Sequence, residues 1–91
     1  MRITLDLNGL DTARQIQDYL KAALAFPDYY GGNLDALYDM LSAWDRAAVF
    51  TLRLPAAPQG EAAQYLPRLA RVFCDAAATN PRVSVQMKGR V

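Results

Sequence analysis

Three short runs of strand character set the limits on what this chain can become. Arg2 to Leu7 alternates, with Ile3, Leu5 and Leu7 on one side and Thr4 and Asp6 on the other. Ala48 to Leu54 contains the β-formers Val49, Phe50, Thr51 and Leu52. Arg82 to Met87 alternates again, with Val83, Val85 and Met87 on one face. Each gap between these runs exceeds the roughly dozen residues that a parallel crossover needs. Both gaps have helical periodicity, and helices lying between strands favour a parallel sheet. The pattern predicts an α/β fold: a small three-stranded parallel sheet with helices packed on it, in the order β-α-α-β-α-α-β. At 91 residues the chain is expected to form one domain, residues 1–91.

The helical segments carry their own punctuation. Asn8-Gly9 reads as a turn. Asp11-Thr12 starts a helix, and Thr12 with Gln15 has capping-box spacing. Ile16, Leu20, Ala23 and Leu24 recur at core spacing, with Arg14, Gln15, Asp18 and Lys21 mostly outward. This helix stops before Pro27. A second helix spans about Leu34 to Ala43, with Asn33 as its N-cap. Pro55 and Pro58 end the second strand. Glu61 to Ala78 is helical in pattern, but Pro67 sits inside it. Proline is disfavoured in a helix interior and tolerated at a first turn. The stretch is therefore expected to split into a short helix near Glu61 to Tyr65 and a longer one from Pro67 to Ala78. Leu69, Val72, Phe73 and Ala76 form the buried stripe of the longer helix, and Asn80-Pro81 is a stop.

Several function classes lose ground. The chain has no histidine, the commonest general base and transition-metal ligand. One cysteine without histidine leaves no usual zinc site. GxGxxG, GxxxxGK[ST] and GxSxG are all missing. Neither a cofactor nor a metal is expected, and no enzyme activity. Nothing approaches the roughly 20 apolar residues of a membrane span, and Asp6 falls where a signal peptide would be apolar. Cys74 is alone, so it has no internal disulfide partner, and it is expected to be small and at least half-buried. These features favour the cytoplasm.

One segment stands apart by charge. From Ala22 to Asp45 there are four aspartates, Asp28, Asp35, Asp39 and Asp45, and no Lys or Arg. The chain has 10 basic and 9 acidic residues, so the remainder carries +5 against −4 here. Pro27 and Gly31-Gly32 make the first part a loop. On the helix that follows, Asp35, Asp39 and Ser42 share one stripe, because successive residues turn by about 100°. Leu34, Leu37, Leu41 and Trp44 gather opposite, as a core-facing side. A solvated face would account for the polar stripe, and Asp35 also suits the helix dipole. Yet Asp35 and Asp39 are like charges at i, i+4 with no cation in the helix to offset them. Tyr29 and Tyr30 lie just before, and tyrosine concentrates where binding energy does. Neighbours on an extended loop point opposite ways, so one of the two tyrosines is expected to pack inward. Trp44 is expected to be mainly core, with its indole edge reaching the surface. Clustered carboxylates beside aromatics suit a partner built to bind phosphate with Arg and Lys.

These residues resemble a known family. The run Leu24 to Trp44, with its core pattern Pro-x-Tyr-Tyr-Gly-x-Asn-Leu-Asp-Ala-Leu-x-Asp, is similar to the central segment of the barstar family, intracellular inhibitors of barnase-like ribonucleases. The motif covers about a quarter of the chain. The resemblance implies the same α/β fold, with a helix break near Pro67. It implies that the second helix and its preceding loop plug the ribonuclease active site. Asp39 would enter where the substrate phosphate sits, facing Arg and His side chains. Asp35 would pair with a further arginine, and Tyr29 would pack on the catalytic histidine. Gly31, Asn33, Leu34, Tyr38, Ser42, Ala43 and Trp44 match contact or supporting positions. Val72-Phe73-Cys74-Asp75 resembles the family's Val-Phe-Arg-Glu, making Asp75 an outlying acidic contact. The sequence departs from the family where Gly32 replaces an acid, Tyr38 replaces a tryptophan, and Asp75 is one methylene short. The two family cysteines are absent. These departures point to a cognate enzyme related to barnase and distinct from it.

The expected partner is thus a basic ribonuclease bound one to one by a chain that is monomeric when free. Two other classes stay open at this level: a binding module for another basic protein or toxin, and a small enzyme using the Asp35/Asp39 pair. Nucleic acid and membrane are not expected as partners, because the most distinctive surface is acidic and phosphate contact needs the reverse.

Overall fold

The computed structural model describes residues 1–89. Its elements are β1 (Arg2–Asp6), α1 (Ala13–Ala23), α2 (Leu34–Ser42), β2 (Ala48–Leu54), α3 (Gly60–Thr79) and β3 (Val83–Gly89). The three strands form one parallel sheet in the order β1-β2-β3. Register places Ile3 beside Phe50 and Leu5 beside Leu52, with Val85 and Met87 next along on β3. This row set is one face of the sheet, and the helices cover it. Both crossovers advance in the same direction, and right-handed connections of that kind put all their helices on one side. Leu5, Leu7, Phe50 and Leu52 of that face have no exposure, and neither do Ile16, Leu20, Leu37, Leu41, Leu69, Phe73 and Ala76 of the helices.

The third helix departs from the sequence reading. A break at Pro67 was expected, but α3 runs unbroken through it, so the order is β-α-α-β-α-β. The reason is the buried stripe. Ala62, Leu66, Leu69, Ala70, Phe73 and Ala76 face the core on both sides of the proline. Pro67 itself points to solvent, as does Ala63, whose carbonyl loses its helical donor to the pyrrolidine ring and faces water instead. Burial of the stripe outweighs one missing hydrogen bond. Cys74 also differs from expectation: it is exposed, because it follows Phe73 by one residue and is turned by about 100° away from the stripe. On α1, Ala23 is exposed although it was expected in the core. The buried arc is centred between Leu20 and the unexpectedly buried Gln17, which leaves Ala23 at its edge. Met87 occupies the expected face but is 44% exposed on an edge strand.

Candidate functional site

The loop before α2 is shaped by the end of α1. Phe26 N donates to Lys21 O at 3.0 Å and Ala25 N to Ala22 O at 3.3 Å, the paired bonds of a Schellman motif. Its left-handed position is filled by Ala25, with φ of 53°, where glycine is usual. The turn drives Phe26 into the core against Tyr30, ring centroids 4.6 Å apart. Tyr30 is then locked: its hydroxyl donates to Gln17 Oε1 at 2.5 Å, and Gln17 Nε2 donates to Tyr65 Oη at 2.7 Å. Burial pushes the Tyr30 phenol up to about 12, with the neighbouring Tyr65 acting in the same direction and the Gln17 bond against it. With Tyr30 turned inward, Tyr29 is thrown outward and is 84% exposed. The expected division of labour between the two tyrosines is the observed one.

Asn33 caps α2 as expected, its Oδ1 accepting from Ala36 N at 2.8 Å. Leu37 and Leu41 are fully buried, and this turns Asp35 and Asp39 to solvent on the opposite side. Gly31 and Ala43 are exposed beside them, and Leu34, Tyr38 and Ser42 are half-buried. Two hollows flank the helix. One, of about 350 Å³ at its N-terminal end, brings together Asn33, Leu34, Asp35 and Arg68 of α3. The other, of about 410 Å³ at its C-terminal end, joins Tyr29, Phe26, Met40, Ala43 and Trp44. Asp75 lies on α3 one turn before Thr79, whose Oγ1 is 3.4 Å from the Tyr38 hydroxyl. That contact places Asp75 on the α3 segment adjoining α2. Its carboxylate forms an exposed pair with Arg71 at 3.9 Å.

Trp44 corrects one expectation. Its ring meets Phe50 edge-on at 5.3 Å, so it is core as anticipated, but its Nε1 is buried without a hydrogen-bond partner and does not reach the surface. Ser42 Oγ is buried and unbonded in the same way.

Two residues that hold the site were not singled out in the sequence. Gln17 is one; its spacing of three from Leu20 and seven from Leu24 put it on the apolar side of α1, and a polar residue there signals a buried network. Asn80 is the other, read only as a stop. It is 5% exposed, and its Nδ2 lies within donor reach of three carbonyls: Leu41 at 3.0 Å, Ser42 at 3.2 Å and Trp44 at 2.9 Å. The last turn of α2 carries no basic residue; this amide serves the Ser42 and Trp44 carbonyls and shares the Leu41 carbonyl with Trp44 N. Nothing local in the sequence reveals that contact, since Asn80 is some forty positions away.

The site therefore presents two carboxylates on a rigid helix, capped at both ends by asparagines, beside an exposed tyrosine. Comparison with known proteins assigns the chain to a family. The family model described as Barstar (barnase inhibitor) covers residues 1–88. The chain belongs to the Barstar family. Among curated proteins it is similar to the "Putative ribonuclease inhibitor YrdF" of Bacillus subtilis (strain 168), with 46% identity over 43 residues. That match spans 47% of this chain and 47% of the relative, about half of each. Membership of the Barstar family extends the sequence resemblance from one segment to nearly the whole described chain. No helix among the described residues is long and apolar enough to cross a membrane.

Proposed function

We propose that this chain is a cytoplasmic inhibitor of a barnase-like ribonuclease, acting by occlusion and not by catalysis. The observation that carries this reading is the outward stripe of Asp35 and Asp39, fixed beside Tyr29 in a chain of the Barstar family. A ribonuclease must gather cations to hold the phosphates of RNA. Asp39 supplies a carboxylate in place of the scissile phosphate, and Asp35 engages a further arginine. Tyr29 packs on an aromatic or imidazole ring of the enzyme. Gly31, Asn33, Leu34, Tyr38, Ser42, Ala43 and Trp44 form or support the contact surface, and Asp75 extends it. Because helix and loop are held by buried bonds, little conformational freedom is lost on binding. The acidic surface steers association with a basic partner, so the on-rate falls with salt.

The test is inhibition of a purified barnase-like ribonuclease. The free chain is monomeric and forms a one-to-one complex, with activity lost near stoichiometry. Asp39→Ala weakens the complex by about 3 to 5 kcal/mol, the cost of leaving cations buried without a counter-charge. Full inhibition by that variant would remove Asp39 from its assigned role.

A further inference from the structure

Parallel sheets usually have both faces covered, and this one has a bare face. It is made by Arg2, Thr4 and Asp6 of β1, Val49, Thr51 and Arg53 of β2, and Ser84, Gln86 and Lys88 of β3. Register sets them in rows, with Arg2 beside Val49 and Ser84, Thr4 beside Thr51 and Gln86, and Asp6 beside Arg53 and Lys88. The twisted face encloses a hollow of about 600 Å³ lined by Arg2, Thr4, Thr51, Arg53, Gln86 and Lys88. Three cations meet one acid, so the face carries a surplus of positive charge even with Asp6 beside Arg53. Asp6 Oδ1 accepts from Asn8 Nδ2 at 2.8 Å and Asn8 N at 3.0 Å. Arg53 and Lys88 are direct cross-strand neighbours, about 4.8 Å apart at the backbone. Like charges so placed are destabilising. The ion pairs among the described residues, Arg14 with Asp18 and Arg71 with Asp75, lie on helices and relieve neither.

We infer that this bare sheet face binds the phosphate backbone of single-stranded RNA. The cations form a track: Arg53 lies one strand across from Arg2 and four residues further along, about 13 Å at the strand rise. Thr4, Thr51 and Gln86 supply hydroxyl and amide donors between them. No aromatic stands on the face, so bases are not stacked and sequence is not read. The acidic stretch disfavours nucleic acid only on its own side of the sheet. The fold puts α2 on the other side of the sheet, so RNA and a basic protein occupy opposite sides of one molecule. Choosing RNA among polyanions rests on the proposed ribonuclease-inhibitor role, since RNA is what that partner acts on.

The test uses the full chain without ribonuclease and a short, mixed-sequence, fluorescently labelled RNA, followed by anisotropy. Binding is expected at low salt, with a log–log salt slope of about −2 for three phosphate contacts. Arg53→Gln with Lys88→Gln leaves about one contact and a slope near −0.7, and Arg2→Gln alone gives an intermediate slope. The double variant removes a like-charge pair together with the exposed attraction between Asp6 and Arg53, so its melting temperature is little changed, which separates lost binding from lost folding. Asp39→Ala binds RNA as the parent does, and the double variant still inhibits ribonuclease, so the two readings fail independently. No RNA binding at low salt overturns the inference, as does binding that survives the double substitution. Salt-sensitive self-association abolished by Asp39→Ala would assign the face to a second copy of this chain and overturn it equally.

Discussion

Replacing Asn80 should loosen α2 without touching its exposed face. Asn80→Ala removes a buried amide that serves Leu41, Ser42 and Trp44 carbonyls and accepts from Arg82 N at 3.0 Å. The Leu41 carbonyl retains a second donor, Trp44 N at 3.2 Å. The carbonyls of Ser42 and Trp44 and the Arg82 amide lose this partner. A buried polar group left unsatisfied costs about 1 to 3 kcal/mol. Ser42 and Trp44 are only half-buried, so water recovers part of their share. A net loss of about 2 to 4 kcal/mol follows. For a chain of this length that is a large fraction of a total stability of about 5 to 13 kcal/mol. Asn80→Asp keeps the shape but points a carboxylate at carbonyl oxygens, so at neutral pH it is worse than alanine. At acid pH the protonated carboxyl donates one bond, and the gap to alanine narrows. The assay is urea unfolding followed by the fluorescence of Trp44, the single tryptophan, which sits on the affected turn. A cost below about 0.5 kcal/mol for alanine, within the range of ordinary surface changes, would refute the capping argument. So would an aspartate variant as stable as the alanine one at neutral pH.

Ala25→Gly should stabilise the fold by about 1 kcal/mol in the same unfolding assay, because glycine takes the left-handed conformation at 53° without steric cost. Pro67→Ala restores a donor to the Ala63 carbonyl on the solvent side of α3, and an increase of about 1 to 2 kcal/mol is expected. Tyr30→Phe orphans Gln17 Oε1 and should cost about 1 to 3 kcal/mol. Tyr30 also predicts an alkaline limit. Its phenol sits at about 12 in the fold and at about 10 in an unfolded chain. Between those values the folded chain holds the proton more tightly, so stability present below about pH 10 is lost as pH rises through about 12. Tyr30→Phe should lack this component of the alkaline loss in a stability-versus-pH titration.

How much was legible in the sequence differs from element to element. The capping box of Thr12 and Gln15, the Asn33 cap and the β2 boundaries appear where local chemistry put them. Such signals act within one turn or one strand, so neighbours suffice to read them. That one of the two tyrosines packs inward was legible from the loop, and the resemblance assigned the outward role to Tyr29; the lock that holds Tyr30 inward, through Gln17 and Tyr65, was not legible. Pro67 was misread, since the penalty is local and the compensating burial of Leu66, Leu69 and Ala70 is not. Trp44 was placed correctly in the core, but the fate of its indole nitrogen depended on packing against Phe50.

Amino-acid order alone determined a parallel α/β sheet and an acidic helix that turns Asp35 and Asp39 away from Leu37 and Leu41. Periodicity and chain length impose both, whatever the distant contacts. Tertiary structure alone decided the strand order, the unbroken α3, the Asn80 clamp on α2, and the separation of acidic helix from basic sheet face. Each of these depends on which surfaces meet across tens of residues. The free energy of burying one stripe, or of satisfying one set of carbonyls, exists only once the distant partner is in place.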